Sequence, residues 1–211
     1  AATTRVAPQV VEAMLPYFTE HYGNASSLYT LGAESRDAIA GARTIIGDAL
    51  GADSQEIYFT GGGSEADNWA LKGTALAYAS KGKHIITSKI EHHAVLHTCK
   101  YLEEQGYEIT YLDVDEFGLI RLSQLERAIR PDTILVSVMF ANNEIGTIQP
   151  VQAIGRMARK KGILFHTDAV QAFGQIPIRV GELNIDMLSA SAHKLNGPKG
   201  VGFLYIREGV S

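Results

Sequence analysis

The stretch SASAHKLNGPKGVGFLYI, residues 189–206, sets one lysine between two apolar runs that are typical of β-strands. The first run ends at His193 and Lys194, a turn rich in Gly and Pro follows, and the second run begins at once. Because no helix separates the runs, we predict that the last strand lies antiparallel to its neighbour. A charged amine at the end of a buried strand is costly unless it reacts or pairs with another group. Lys194 is therefore a candidate functional residue.

Outward from this hairpin, short β-branched or aromatic runs alternate with longer segments of helical period. The predicted strands are 56–61, 84–89, 108–114, 133–140, 163–169, 187–192 and 201–206. Strands that alternate with helices predict a mostly parallel sheet covered on both faces. We expect an α/β fold with three layers (αβα) and a seven-stranded, mostly parallel sheet with one antiparallel strand. Residues 1–211 are interpreted as one domain, of which residues 1–30 form the N-terminal lead-in segment.

The composition excludes several functional classes. The chain has 211 residues, 45% hydrophobic and 20% charged, with a formal net charge of -4. It contains no basic run, so we expect no nucleic acid as a partner. No apolar run approaches the ~18 residues of a membrane span, and no signal-peptide pattern opens the chain. The single cysteine, Cys99, excludes an internal disulfide framework and favours a reducing, cytoplasmic compartment. The chain does not begin with Met, which we interpret as processing or trimming.

Three glycines stand between a predicted strand and a predicted helix in YFTGGGSEADNWALKG, residues 58–73. Gly62 and Gly63 allow a tight turn and a close approach to a ligand, and the free N–H groups of the following helix favour an anion. Ser64 adds a hydroxyl donor. The alternative is a flexible turn in which Ser64 is a simple N-cap. The segment matches neither the dinucleotide fingerprint nor the Walker pattern.

Polar side chains also follow two other predicted strands. ILFHTDAVQAFG brings a hydrophobic strand to Asp168 and Gln171, and MFANNEIGTIQP ends a strand at Asn142 and Asn143. Ligands of open α/β sheets bind beyond the carboxyl ends of the strands, where a carboxylate can hold a heteroaromatic nitrogen in its protonated form. Taken alone, Asp168 is equally an N-cap, and turn chemistry explains the two amides.

Most of the seven histidines are interpreted as structural. His92 is the exception, because it opens a predicted helix directly after a strand, together with His93. His193 belongs to the stretch 189–206. The other four histidines have no local pattern; they are His21, His84, His97 and His166. No spacing resembles HExxH or another metal set, so no metal is expected.

These features converge at one edge of the predicted sheet. A glycine turn for a phosphate, a carboxylate for a pyridinium nitrogen and a lysine that can form a Schiff base together describe a pyridoxal 5'-phosphate site.

Several runs of the sequence also resemble a known family. They are ATTRV, HYGNASSLYTLG, EIYFTGGGSEADN, EHHAVLHTC, NNEIGTIQP, HTDAVQAFG and SASAHKLNGPKGVGFLYI. In this order they are similar to the cysteine desulfurases of the NifS/IscS type, which are class V, fold-type I enzymes that use pyridoxal 5'-phosphate. The resemblance extends from residue 1 to about residue 207 and implies the large, cofactor-binding domain of that fold.

The resemblance implies a role for each candidate residue. Lys194 would bind the cofactor covalently, and Lys194 and His92 would be the catalytic proton carriers. Asp168 would pair with the ring nitrogen, Gln171 would bond the ring hydroxyl, and Asn143 would contact ring and substrate. The phosphate would be bound by Gly63, Ser64, Ser191 and His193.

The implied reaction converts L-cysteine to L-alanine and leaves the sulfur on the enzyme as a persulfide, for iron–sulfur cluster or thiolation pathways. A homodimer and a sulfur-acceptor or scaffold protein are the implied partners. Two alternatives stay open at this point. One is a related selenocysteine lyase or class V aminotransferase, and the other is a non-catalytic fragment that binds pyridoxal phosphate or only dimerises.

The sequence departs from the family pattern in its catalytic thiol. The family has a nucleophilic cysteine and a substrate-binding arginine far downstream of the lysine, whereas 17 residues follow Lys194. Cys99 is interpreted as a small buried apolar residue. We therefore expect that the C-terminal small domain is absent and that this chain by itself is inactive. Smaller departures are Gly61 and Ser64, in place of Ser and Thr, and Tyr29, where the family often has His.

Overall fold

A computed structural model describes residues 2–211 of the chain. These residues form a seven-stranded sheet with the strand order β1-β7-β6-β5-β4-β2-β3. The strands are β1 (Ile57–Thr60), β2 (His84–Ser88), β3 (Glu108–Leu112), β4 (Thr133–Ser137), β5 (Leu164–Asp168), β6 (Met187–Ser191) and β7 (Gly202–Ile206). All seven lie inside the predicted segments, and each end either coincides with the predicted end or lies one to three residues inside it.

The antiparallel position of the last strand is confirmed. β7 pairs with both β6 and β1 in antiparallel register, and the pairs among β2, β3, β4, β5 and β6 are parallel. Ser191 pairs with Gly202 at the start of the return strand. A Cβ on Gly202 would lie 2.5 Å from the carbonyl oxygen of Ala190, so only glycine fits there. The short turn and this glycine explain why the chain reverses without a helix.

Helices cover both faces of the sheet, as predicted for three layers. They are α1 (Pro8–Met14), α2 (Pro16–Thr19), α3 (Thr30–Leu50), α4 (Gly63–Ala77), α5 (His93–Glu104), α6 (Leu122–Ala128), α7 (Val151–Lys161) and α8 (Val180–Leu183). One core cluster joins the sheet to α4 and α5, and includes Leu71, Val95 and Cys99. The other joins it to α3, α6, α7 and α8, and includes Leu50 and Ile154. No helix in residues 2–211 is long and apolar enough to cross a membrane.

The strand directions decide where the polar turns meet. Because β1, β2, β4, β5 and β6 run the same way, their carboxyl ends lie at one edge of the sheet. The extended N-terminal segment crosses this edge and is bonded to the turn after β6. The N–H of Thr4 donates to the carbonyl of His193 at 2.8 Å, and the N–H of Ala7 donates to that of Asn196 at 2.9 Å. The segment therefore closes one side of the edge.

The start of α4 corrects the interpretation of Ser64 as an N-cap. The helix begins at Gly63 with Gly62 as its N-cap, so Ser64 lies within the first turn. Gly62 has a φ of 151°, a conformation that residues with a side chain rarely adopt. A Cβ on Gly63 would lie 2.5 Å from Cγ2 of Val170. Glycine at both positions lets the helix begin two residues earlier than an N-cap at Ser64 would, against the turn after β5.

Candidate active site

A cavity of about 430 Å³ opens at the carboxyl edge of the sheet. It is lined by all nine residues that the sequence analysis selected for cofactor binding: Gly63, Ser64, His92, Asn143, Asp168, Gln171, Ser191, His193 and Lys194. These residues come from five separate segments and are brought together by the parallel strands. A volume of this size is within the range of small-molecule cofactor sites.

The first turn of α4 forms one end of the cavity. Ser64, Ser191 and His193 surround this turn, and a neighbouring open cavity with Lys199 continues from it. The free N–H groups of a 15-residue helix point toward this end. Burial and the nearby Lys194 lower the pKa of His193, so its ring is held neutral. Main-chain N–H groups, two hydroxyls and a lysine nearby fit a phosphate group.

Asp168 is the last residue of β5 and is 5% exposed. Its Oδ1 accepts a hydrogen bond of 2.9 Å from the N–H of Val170. Burial raises the pKa of its carboxyl, while that hydrogen bond, His92 and Lys194 oppose the increase. A cation placed against this carboxylate would be stabilised, because the buried charge has few partners of its own.

His92 caps the start of α5 with its own ring. The N–H of Ala94 donates to Nδ1 of His92 at 3.1 Å. A neutral ring with Nδ1 as acceptor carries its proton on Nε2. The cap therefore fixes both the orientation of the ring and the position of its proton.

Lys194 ends a short 3₁₀ turn, Ala192–Lys194, that follows β6 directly. Its Nζ donates to the carbonyl oxygen of Ala2 at 2.8 Å. The N-terminal segment also contacts the residue before the lysine, since the hydroxyls of Thr3 and Thr4 bond to His193. The amine faces the cavity that contains Asp168, in agreement with the position expected for a lysine that reacts there.

Asn142 and Asn143 have different roles, which the sequence alone left open. Asn142 is buried and shapes the turn, since its Oδ1 accepts from the N–H groups of Glu144 and Ile145, and its Nδ2 donates to Ile90. Asn143 lines the cavity, as does Gln171 in the turn after β5. Asn142 therefore stabilises the turn, and Asn143 lines the cavity.

Two buried acids near the site escaped the sequence analysis. Asp67, on α4, is 1% exposed and lines the cavity. Glu91 precedes His92, is 5% exposed, and accepts hydrogen bonds from Ser88 and from the N–H of Met139. The sequence contained a signal for each of these two acids. Asp67 interrupts the apolar face formed by Ala66, Ala70 and Leu71, and Glu91 directly precedes the histidine of the predicted site.

The thiol of Cys99 and four of the imidazole groups do not line the cavity. Cys99 is fully buried in α5, and burial raises the pKa of its thiol to about 12. His21 pairs with Glu34, His84 is bonded between two threonines, and His97 stacks on His93. His166 is buried next to Asp67 and is discussed below. Within residues 2–211, no group of three or more His, Cys, Asp or Glu side chains is arranged to hold a metal ion.

The cavity fits pyridoxal 5'-phosphate in its chemistry. The glycine turn leaves room for a phosphate at the start of α4, and the buried Asp168 carboxylate suits a protonated ring nitrogen. Lys194 would supply an amine for the aldehyde. The fold that carries this cavity is the fold of fold-type I pyridoxal phosphate enzymes.

The chain belongs to the aminotransferase class-V family, whose model matches residues 1–211. This family depends on pyridoxal phosphate, so the cofactor prediction is confirmed at the level of the family. The resemblance to NifS/IscS-type cysteine desulfurases is likewise confirmed by the similarities that follow.

Curated relatives carry one description. The chain is 62% identical over 210 residues to "Cysteine desulfurase IscS" of Methanosarcina thermophila, and 58% identical over 210 residues to the protein of that name from Clostridium botulinum (strain Kyoto / Type A2). These alignments cover 100% of this chain and 52% and 53% of the relatives. The chain therefore spans about half the length of the curated relatives it matches.

Solved structures share the architecture. "SspA in complex with cysteine" superposes with a TM-score of 0.96 at 47% identity, over 98% of this chain and 60% of that chain. A "NIFS-LIKE PROTEIN" superposes with a TM-score of 0.96 at 45% identity, over 99% of this chain and 58% of the other. The three-layer fold with its single antiparallel strand is therefore the fold of these proteins.

Proposed function

We propose that this chain binds pyridoxal 5'-phosphate through Lys194 and forms the cofactor-binding part of a cysteine desulfurase, which converts L-cysteine to L-alanine and retains the sulfur as a persulfide. The observation that carries the proposal is the meeting of Lys194, Asp168 and the start of α4 in one cavity. The curated relatives and the cysteine complex of a structural neighbour support the choice of substrate.

When bound, the cofactor would supply an electron sink for the bond that breaks at the α-carbon of the amino acid. Asp168 would hold the proton of the ring nitrogen, since a buried carboxylate is stabilised by that cation. Ser64, Ser191 and His193 would bind the phosphate with the N–H groups of α4. Gln171 would orient the ring through its hydroxyl, and Asn143 would contact ring and substrate.

His92 and Lys194 are the proposed proton carriers. The Nδ1 of His92 is occupied by the N–H of Ala94, so its Nε2 is the atom that would carry a proton over the ring. The Nζ of Lys194 would accept a proton once the substrate amine has replaced it. Both groups lie close to Asp168, and each lowers the pKa of its carboxyl.

We also propose that residues 1–211 fold as one cofactor-binding domain and do not complete the sulfur transfer by themselves. A persulfide needs a thiolate. The single cysteine, Cys99, is buried in α5 with a pKa of about 12, so it is protonated at neutral pH and out of reach of the cavity. The thiol that takes the sulfur would belong to another segment.

The first test is covalent capture of the cofactor. We expect that the purified chain with pyridoxal 5'-phosphate absorbs visible light and, after borohydride reduction, carries the cofactor on Lys194 in peptide mass spectra. Lys194→Ala should lose this adduct by at least tenfold, whereas Lys199→Ala, in the same turn, should keep it at saturating cofactor. Adduct at another lysine in the native chain would contradict the proposal.

The second test concerns sulfur. With L-cysteine, the 211-residue chain should release no more sulfide than free pyridoxal phosphate does, and Cys99→Ser should change nothing. Sulfide release that Cys99→Ser abolishes would contradict the proposed role of an outside thiol. Turnover of selenocysteine or an amino-group acceptor, without cysteine turnover, would instead favour a lyase or aminotransferase.

We propose a homodimer as the working form, and a sulfur acceptor or scaffold protein as a further partner in the cytoplasm. The dimer is supported by large exposed apolar side chains that cluster in the N-terminal segment. They are Leu15, Tyr17, Phe18, Tyr22, Leu28 and Tyr29, of which Leu28 is 99% exposed. Such a concentration of apolar surface is typical of an interface.

A further inference from the structure

Asp67 is a buried acid that the proposed reaction leaves without a role. It lies on the first turns of α4, is 1% exposed, and lines the cavity beside Asp168. Its Oδ1 has no hydrogen-bond partner among residues 2–211. An unsatisfied buried oxygen costs free energy, so a structural role alone explains this side chain poorly.

His166 is a neighbour of Asp67 that does not line the cavity. It is on β5, two residues before Asp168, so both side chains point to the face that α4 covers. Its Nε2 is 3.6 Å from Oδ1 of Asp67, and the two side chains are 0% and 1% exposed. The pair is therefore shielded from water.

Two hydroxyl groups fix the ring of His166. Ser137 Oγ lies 2.9 Å from Nδ1, and Ser189 Oγ lies 2.9 Å from Nε2. A serine hydroxyl donates or accepts by rotation of its hydrogen. These serines therefore suit a neutral imidazole and an imidazolium without a change in heavy-atom positions.

In the cofactor-free chain, the charges favour a neutral pair. Burial raises the pKa of Asp67 well above its usual value, and the nearby Asp168 and Glu91 raise it further. Burial lowers the pKa of His166 to about 3. The hydrogen bond from Ser189 opposes the increase at Asp67 and is a smaller effect than burial. The proton therefore sits on Asp67.

We propose that Asp67 and His166 share this one proton through the hydroxyl of Ser189, which interacts with both side chains. When the protonated pyridine ring of the cofactor binds against Asp168, the carboxyl of Asp67 gives its proton to Oγ of Ser189, and Ser189 gives its own proton to Nε2 of His166. Summed over both transfers, one O–H bond breaks, one N–H bond forms, and the net charge of the pair stays zero. The inference rests on the proposed function, since it needs a cationic ring at Asp168.

The direction of transfer follows from the positions of the two groups. Without the ring, the charge of Asp168 opposes a second negative charge on Asp67. A ring cation cancels that repulsion. Because Asp67 lines the cavity and His166 does not, the transfer places the negative end of the new ion pair toward the ring. The close separation of the two groups in a buried site offsets the cost of creating the charges.

Asp67 and His166 are thus positioning residues for the cofactor charge. Asp168 is the direct partner of the ring nitrogen, and the ionised Asp67 adds a second negative charge behind it. Both charges raise the pH at which the ring nitrogen loses its proton. The pair would keep the electron sink protonated over a wider pH range than Asp168 alone.

The direct test is ¹⁵N NMR of the chain labelled at histidine, with and without pyridoxine 5'-phosphate at pH 7. This probe keeps the ring and phosphate but lacks the aldehyde, so Lys194 does not react. We expect the two His166 nitrogens, assigned by their loss in His166→Gln, to change from unequal neutral shifts to paired imidazolium shifts. Unchanged His166 shifts at saturation with the probe would overturn the proposal.

Variants separate proton sharing from packing. With bound pyridoxal 5'-phosphate, Asp67→Asn and His166→Gln should each lower the spectroscopic pKa of the ring by about one unit, because either change prevents formation of the ion pair. In the double variant the ring pKa should be no lower than in either single variant, since the two residues act as one unit. Thr167→Val, a buried neighbour on the opposite face of β5, should leave it unchanged. Additive decreases would contradict a shared proton.

The outcomes also separate this inference from the proposed function. Covalent capture on Lys194 together with an unchanged His166 spectrum would overturn only the proton transfer. A native chain that binds neither vitamer would overturn both. If the variants do not fold, the spectrum of the native chain alone decides.

Discussion

Glu91 carries the clearest pH dependence of a single residue. Ser88 donates to its Oε1 at 2.5 Å, and the N–H of Met139 donates to both carboxyl oxygens at 3.0 Å. Burial nevertheless raises its pKa from 4.5 to about 8, because these two donors do not replace the lost water. The acid form is thus favoured in the folded chain up to slightly alkaline pH.

We expect the cofactor-free native chain to lose stability as the pH rises toward 8. A raised folded-state pKa stabilises the fold fully below the unfolded value of about 4.5, and this contribution is lost as the pH passes through about 8. In Glu91→Gln, which keeps a hydrogen-bonding head group, this loss should be absent. The difference should be on the order of 2–4 kcal/mol by urea unfolding at pH 5 and pH 8.5. The exposed Glu104→Gln is the matched control, and a parallel profile for both variants would contradict the expectation.

At the scale of one element, the start of α4 depends on the absence of a side chain at Gly63. The added Cβ would meet Val170 at 2.5 Å and Ser191 at 3.6 Å. Val170 belongs to the turn after β5, and Ser191 is the last residue of β6. A single glycine therefore sets how closely the helix start approaches the lysine and aspartate segments.

We expect Gly63→Ala to destabilise the fold by about 1–3 kcal/mol, because the helix start must move away from Val170. The same displacement should weaken binding of pyridoxal 5'-phosphate by about tenfold, since the N–H groups no longer meet the phosphate. Gly41→Ala, inside α3, is the control: a Cβ there meets nothing within 4 Å, so alanine should be neutral or slightly stabilising. Thermal unfolding and cofactor titration measure both effects, and equal behaviour of the two variants would refute the argument.

The same comparison shows what local sequence could and could not predict. The strands were predictable because β-branched runs are short and bounded by turns, and their ends differ by only a few residues. The start of α4 was misplaced, because Ser64 is the better N-cap by local preference. The packing of Gly63 against Val170, more than 100 residues away, shifted the boundary.

At the scale of the whole molecule, the segment before α3 is rich in exposed apolar side chains. It exposes Phe18, Tyr22, Leu28 and Tyr29 to between 69% and 99%. Residues 2–4 of the same N-terminal segment reach the lysine turn. A second copy that covers this segment would therefore bury a large apolar area.

We expect light scattering at micromolar concentration to give a molecular mass of twice 22.9 kDa, the mass of one chain. Leu28→Ser should raise the dimer dissociation constant at least tenfold, because it removes a large apolar side chain from the interface. Leu76→Ser, 80% exposed at the end of α4, should leave the mass unchanged. A monomeric native chain, or equal loss of mass in both variants, would refute the dimer.

The sequence by itself predicted the layers and the antiparallel last strand from local patterns. The same patterns, together with the family resemblance, predicted the family and nine of the residues that line the cavity. Only the tertiary structure revealed Asp67 and Glu91 near the site and His166 next to Asp67. It also separated the turn-forming Asn142 from the site-facing Asn143. The physical reason is burial: whether a carboxyl or imidazole is charged depends on neighbours from distant strands and on the exclusion of water, and neither is written in the surrounding residues.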